Sequence, residues 1–306
     1  MKLNLINIEP VRLDQLLSNE IVDLSRSQIK TLIENNNITV NGNPVSKPGQ
    51  KVKGDLEIEI EVSLNEESKI LPWEKPELID VIAETEDYMI INKPSGLSVH
   101  PGAGNKSKTL LNILVWMNKE LSEVDETRPG IVHRIDKNTS GLLIVSKNNE
   151  FHTFIQKQFE NRTVDKEYVA LVNGNLDHSN GMIDAPIGRD ENNRLLMTVT
   201  AKNSKKALTT FSVRERFEAA DLVDFKILTG RTHQIRVHAK YIGNPIINDP
   251  EYSTTLDEYK GFGQFLHSQK ITFNNMEGEE VTYEAPLPKE FENLLEKLRK
   301  DKHVKN

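Results

Sequence analysis

The chain has 306 residues, 39 Lys and Arg against 46 Asp and Glu, a formal charge of −7, and no cysteine. The missing thiols exclude disulfides, thiolate catalysis and Cys-ligated metal centres, and the acidic sum argues mildly against a nucleic-acid surface. With 37% apolar and 28% charged residues, no apolar run near the ~20 residues of a membrane span and no signal-peptide pattern at its start, the sequence predicts a soluble cytoplasmic protein with one large and one small domain. The net charge hides local variation: 128–147 and 226–240 contain more basic than acidic residues.

Residues 10–60 read as the small unit. Leu13, Leu16 and Leu17 give helical spacing over 11–17. Ser25 with Gln28 makes a capping box, and Ile29, Leu32 and Ile33 then form one stripe. Ile38–Val40 is a predicted strand, Asn41-Gly42 a tight turn, and 55–62 an alternating strand. The charged, two-proline stretch that follows reads as a linker. The expected division is 1–66, a linker at 67–77, and a main domain at 78–306. In that domain, strands are predicted at 79–83 and 88–91 and a helix at 109–117. Gly96, Gly102 and Gly104 lack the spacing of a phosphate or dinucleotide loop.

The most informative stretch is RPGIVHRIDKNTSGLLIVSK (128–147). Its cluster His133, Arg134, Asp136, Lys137, Asn138 precedes Gly141 and a buried strand at 142–145. A carboxylate held on a loop against a rigid strand is a place for chemistry, although such a cluster read alone is more often a loop salt bridge. A helix from Asn149 carries Phe151, Phe154, Ile155 and Phe159 as a core stripe rather than a base-stacking platform. A strand at 167–172 puts Tyr168 on the face opposite Val169. Strands at 208–214 and 222–229, separated from what precedes them by loops at 185–194 and 200–207, complete an α+β reading: a large mixed, mainly antiparallel sheet flanked by helices. The second polar concentration, TGRTHQIRVHAKYIGNPIINDP (229–250), predicts a helix from about Thr232 with Ile235, Ala239 and Ile242 inward and Arg236 directed elsewhere. His233 and His238 fall on different faces without a third ligand, so no metal site is expected. Phe291, Leu294, Leu295 and Leu298 mark a C-terminal helix that acts as a clasp.

The segment RLDQLLSN…LSRSQIKTLIENNNITVNGNPV resembles the alpha-L RNA-binding module of the ribosomal protein S-four type, in which Arg26, Ser27, Gln28 and Lys30 would face RNA phosphates. INKPSGLSVHPGAGN, PGIVHRIDKNTSGLLIVSK, DKEYVALVNG, APIGR, TGRTHQIRVHAKYIGNPIINDP, QFLHS and EAPLP, in that order, are similar to the RluA/RluD family of RNA pseudouridine synthases, most of all to the subgroup modifying large-subunit ribosomal RNA. The resemblance runs from about residue 10 to about residue 298. It implies Asp136 as the essential carboxylate, Arg134 as the arginine filling the gap left by a flipped base, Tyr168 as the ring packing on uracil, and Arg236 as the partner of Asp136. It further implies a pocket lined by His133, Leu143 or Val145, Arg231, His233 and Gln234. Ser268 and Asn138 stand where the family often has alanine and aspartate. The implied partner is RNA, large-subunit ribosomal RNA or its precursor, with transfer RNA and a non-catalytic assembly role as alternatives. The protein is expected to be a monomer without a membrane partner.

The residue types suit that reaction. Isomerising uridine breaks a carbon–nitrogen bond and makes a carbon–carbon bond, with no net loss of atoms or electrons, so no cofactor and no metal is expected. An ionised carboxylate can attack the sugar or the uracil ring, or take a sugar proton. A dry pocket disfavours that charge, and a buried guanidinium restores it. Base extrusion costs a few kcal/mol, which Arg134 would partly offset. On this reading Arg236→Met lowers activity strongly with a modest effect on the fold.

Overall fold

The computed structural model describes all residues except 1, 22–25, 62–69, 71, 74–78, 103–104, 106, 118, 194 and 305–306, and it leaves out the side chains of 26–28 and 302–304. The chain divides into two compact units, Met1–Lys69 and Ile70–Asn306. Most of the expected linker lies outside the described residues.

The first unit comprises β1 (Lys2–Arg12), α1 (Leu13–Glu20), α2 (Arg26–Glu34), β2 (Ile38–Val40), β3 (Asn43–Pro44) and β4 (Lys51–Ile60). Its four strands lie in the order β1-β4-β2-β3. Leu13, Leu17, Ile29 and Ile33 from the helices close a core with Leu56, Ile58 and Ile60, which alternate inward along β4. Asn41 and Gly42 both take positive φ, 51° and 75°, as a two-residue hairpin turn of matching twist requires. The sequence reading missed β1 and started α1 two residues early, because Val11 and Arg12 still pair with Val52 and Lys51. Asn7 at φ 54° and Pro10 interrupt the alternation, which an edge strand tolerates. The capping box expected at Ser25 and Gln28 lies outside the described residues.

The second unit comprises β5 (Asp80–Glu84), β6 (Tyr88–Lys93), α3 (Leu110–Trp116), β7 (Ser140–Ser146), α4 (Asn149–Asn161), β8 (Asp165–Asn173), β9 (Asn180–Asp184), β10 (Ile187–Arg189), β11 (Met197–Val199), β12 (Ser204–Lys205), β13 (Leu208–Arg216), β14 (Ala220–Ile227), α5 (Gln234–Tyr241), β15 (Leu266–Asn274), β16 (Glu280–Glu284) and α6 (Lys289–Val304). A nine-stranded sheet runs β5-β6-β7-β15-β8-β14-β13-β9, with β16 added to β15. Its pairs are antiparallel except β7 with β15, so the expected mixed, mainly antiparallel sheet is what the chain forms. The loops expected at 185–194 and 200–207 instead contribute to a small sheet of β11-β10-β12. Strands of two and three residues are too short to show a period of two.

Every residue of β7 is buried, because one face meets the core of Leu143, Val145, Tyr168 and Ile235 and the other meets Phe151, Ile155 and Ile271. The unbroken apolar run of the sequence reflects that two-sided cover. Two glycines set where the loop before β7 lies. A Cβ on Gly141, at φ +107°, would stand 2.3 Å from the Ser268 carbonyl oxygen, and one on Gly263 would stand 2.4 Å from the Asn138 Cβ. Only glycine allows β15 and the 261–264 turn to press this closely on residues 138–141. On the far face α6 packs Phe291, Leu294 and Leu295 against Val169 and Leu171, the clasp the sequence predicts.

Candidate active site

Asp136 sits on the loop leading into β7, which hydrogen bonds secure at several points. The Thr139 amide donates to the Asp136 carbonyl at 3.1 Å. The Gln264 amide donates to the Thr139 hydroxyl at 2.9 Å, and the Ser95 hydroxyl donates to the Asn138 carbonyl at 2.9 Å. Lys93, fully buried, donates to the carbonyls of Pro94 at 2.8 Å and Lys137 at 3.0 Å. Burial pushes the Lys93 ammonium down to about 7, opposed in part by the Asp136 charge.

The partner of Asp136 comes from one hundred residues further on. Arg236 Nη1 donates to Asp136 Oδ2 at 3.2 Å. Its Nε and Nη2 grip both oxygens of Asp249 at 2.7 and 2.6 Å, and Nη2 also reaches Glu251 at 2.6 Å. The guanidinium lies over the Tyr252 ring, 4.9 Å from its centroid, a cation–π contact. Burial works against the Arg236 charge, but the bond to Asp249 and the charges of Asp249, Asp136 and Glu251 outweigh it and raise the pKa. Asp249 is wholly buried and accepts in addition from the amides of Glu251 and Tyr252, at 3.0 and 3.2 Å. Oδ1 of Asp136 has no hydrogen-bond partner among the described residues. The residues of α5 from Gln234 to Ala239 are all buried, and of these Arg236 is the one that turns to the carboxylates.

Asp136 and Arg236 border a cleft of about 750 Å³ whose walls come from residues 132–136 and 139, the end of α4, β8 and residues 227–236. Tyr168 lies in it, 7% exposed. Burial raises its phenol pKa, with a contribution from the Asp136 charge; the polar side chain of Ser268, its cross-strand neighbour on β15, works the other way. Arg134 is exposed at the same cleft and donates from Nη1 to His100 Nε2 at 3.4 Å. The other His100 nitrogen lies 2.8 Å from the Pro101 carbonyl, to which it can only donate.

Other expected lining residues meet different fates. Leu143 and Val145 are wholly buried in the core and do not border the cleft, because a strand covered on both faces offers no open side. Gln234 touches the cleft but spends its amide internally. Its oxygen accepts from the Thr229 hydroxyl and the Arg231 amide, and its nitrogen donates to Leu208 and Thr209, all between 2.7 and 3.0 Å. His133 borders the cleft, yet its Nε2 accepts the Ile144 amide at 2.8 Å, and burial depresses its pKa to about 3. Its ring is an anchor for the loop. His233, at φ 56°, places Nδ1 2.8 Å from the Tyr252 hydroxyl, and Arg231 donates from Nε to the Lys206 carbonyl at 2.9 Å; both border the cleft. Phe159, expected as core, is only partly buried and packs on His133 at the cleft edge, with ring centroids 4.8 Å apart. Lys30 in the first unit is exposed and 3.7 Å from Glu34, and the side chains of Arg26, Ser27 and Gln28 lie outside the described residues.

Sequence reasoning assigned no role to Lys93, Asp249, Glu251 or Tyr252. Asp249 and Glu251 stand in the INDPEY segment, where a polar pair just beyond a helix with a buried arginine was the available signal.

Comparison with known proteins agrees with this architecture. A family model described as RNA pseudouridylate synthase matches residues 87–241, and an S4 domain model matches residues 11–58. A Bacillus subtilis protein described as an uncharacterized RNA pseudouridine synthase is 42% identical over 95% of both chains. A ribosomal large subunit pseudouridine synthase D of Neisseria meningitidis is 39% identical over 94% of this chain and 79% of its own, and one of Vibrio parahaemolyticus is 36% identical over 95% and 91%. The solved structure of human RNA pseudouridylate synthase domain containing 1 aligns with a TM-score of 0.58 at 24% identity, covering 74% of this chain and 97% of its own, a likeness of fold. Fold, cleft and family matches together define an enzyme that isomerises uridine in RNA. The chain belongs to the RNA pseudouridine synthase family and carries an S4 domain at its N-terminal end. Among the described residues no helix is long and apolar enough to cross a membrane.

Proposed function

We propose that this enzyme converts uridines of large-subunit ribosomal RNA, or its precursor, to pseudouridine, acting as a cytoplasmic monomer with Asp136 as the catalytic carboxylate. The observation that carries the site is the 3.2 Å pair of Asp136 and Arg236 at the cleft. One carboxylate oxygen is held by a guanidinium whose own position is set by Asp249, which leaves the other oxygen for the substrate. Tyr168 packs on the flipped uracil and keeps its proton, since its pKa is raised. Arg134, exposed beside the cleft, fills the space the base vacates. Arg26, Ser27, Gln28 and Lys30 present a phosphate-binding helix start in the S4 domain. The choice of RNA is supported by relatives named for the large ribosomal subunit at 36% and 39% identity.

The test is tritium release from uridine-labelled ribosomal RNA, together with pseudouridine mapping in RNA from a strain lacking the protein. Asp136→Asn and Asp136→Ala are expected to bind RNA and keep the melting temperature within a few degrees while losing turnover. Turnover by either variant removes Asp136 from this role. Sites absent from transfer RNA instead of large-subunit RNA would reassign the substrate, and wild-type protein without turnover would favour an assembly factor.

A further inference from the structure

Two cations on the β8 side of the cleft have no part in the site described above. Arg162 follows α4 and borders the cleft with its backbone at φ 60°. Glycine or asparagine suits that left-handed position, and a long side chain there costs stability. Lys166 lies two residues before Tyr168 on β8 and therefore shares its face of the sheet, about 6.6 Å along the strand. Its ammonium rests 5.0 Å from the centre of the Phe159 ring at the cleft edge. Among the described residues neither cation has a carboxylate within ion-pair distance. Asp165, the acid between them, is already taken by Lys226 at 2.6 Å. Burial drives the Lys166 pKa down to about 8, the state of a cation lacking its anion. We propose that Arg162 and Lys166 form a phosphate clamp on this wall, gripping the RNA backbone at the target nucleotide while its base lies on Tyr168. The separation of Lys166 from Tyr168 along the strand suits that between a base and its own phosphate, and this placement rests on the reading of Tyr168 given above.

The experiment uses the full chain and a uridine-labelled ribosomal RNA fragment, with kcat and KM measured across a salt series for Lys166→Met, Lys166→Arg and Arg162→Gly. Lys166→Met and Arg162→Gly are expected to raise KM several-fold with kcat near the wild-type value, and each to reduce the slope of log(kcat/KM) against log salt by about one. Lys166→Arg keeps the charge and is expected to restore KM. Arg162→Gly relieves the left-handed backbone, so its melting temperature is expected to equal or exceed that of the wild type. Wild-type KM and salt slope in both neutral variants would overturn the clamp, as would a fall in kcat at unchanged KM. Direct RNA binding over the same salt series decides the clamp even if the wild type shows no turnover, an outcome that would count against the proposed function instead.

Discussion

At the scale of single residues the site is governed by how one guanidinium is shared among three carboxylates. Asp249 takes two of the Arg236 contacts and is entirely buried, whereas Asp136 takes one and keeps an oxygen free. This revises the expectation that Arg236→Met disturbs the fold only modestly. Removing the cation strands Asp249 without a counter-charge, at a cost of about 3–5 kcal/mol. Urea denaturation is expected to show that loss, and Arg236→Met combined with Asp249→Asn should recover much of the stability but none of the turnover. Lys93 provides a test through pH. Its pKa falls to about 7 in the folded protein from an ordinary value of 10.5, so between those values the unfolded chain binds the extra proton and stability rises with pH. The wild type is therefore expected to gain stability relative to Lys93→Met as pH increases from 7 to 10. A difference that stays flat or shrinks over that range would show that Lys93 remains charged when buried.

At the scale of elements, the loop that carries Asp136 owes its position to close backbone packing around β7. The 2.3 Å approach that a Cβ on Gly141 would make to Ser268 involves backbone atoms, which cannot swing aside. Gly141→Ala is expected to destabilise the protein by about 3 kcal/mol or more, and activity should fall further than stability because β7 and β15 carry the Asp136 loop and the partner of Tyr168. Thermal melts compared with turnover below the melting range would check this. Much at this scale was legible beforehand. The buried run 142–145, the Phe151 and Ile155 stripe and the Leu294 and Leu295 clasp each carry an apolar period long enough to read. Phe159 misled because a stripe names the face of a helix and not the point at which its neighbours stop. Leu143 was expected at the pocket only through the family resemblance, and the cover on both faces of β7 keeps it in the core.

At the scale of the molecule, each unit has its own apolar core, which predicts that residues 70–306 fold without the S4 domain. The truncated protein is expected to isomerise short RNA fragments at a similar kcat but to show a raised KM for structured ribosomal RNA; loss of its cooperative unfolding transition would contradict this. The negative charge of −7 is compatible with an RNA enzyme because Arg134, Arg162, Lys166 and Arg231 all border one cleft. A sum over the chain cannot register such clustering. By itself the sequence determined the elements long enough to show an apolar period, though not β1 or the short strands β10–β12, and its motifs named Asp136, Tyr168 and Arg236. Only the tertiary structure decided that Asp249 holds the arginine, that Gln234 and His133 spend their polar atoms on the fold, and that two unpaired cations share a wall with Tyr168. Those facts depend on contacts between residues tens of positions apart, and nothing in a linear spacing records which of two polar groups the folded chain will leave unsatisfied.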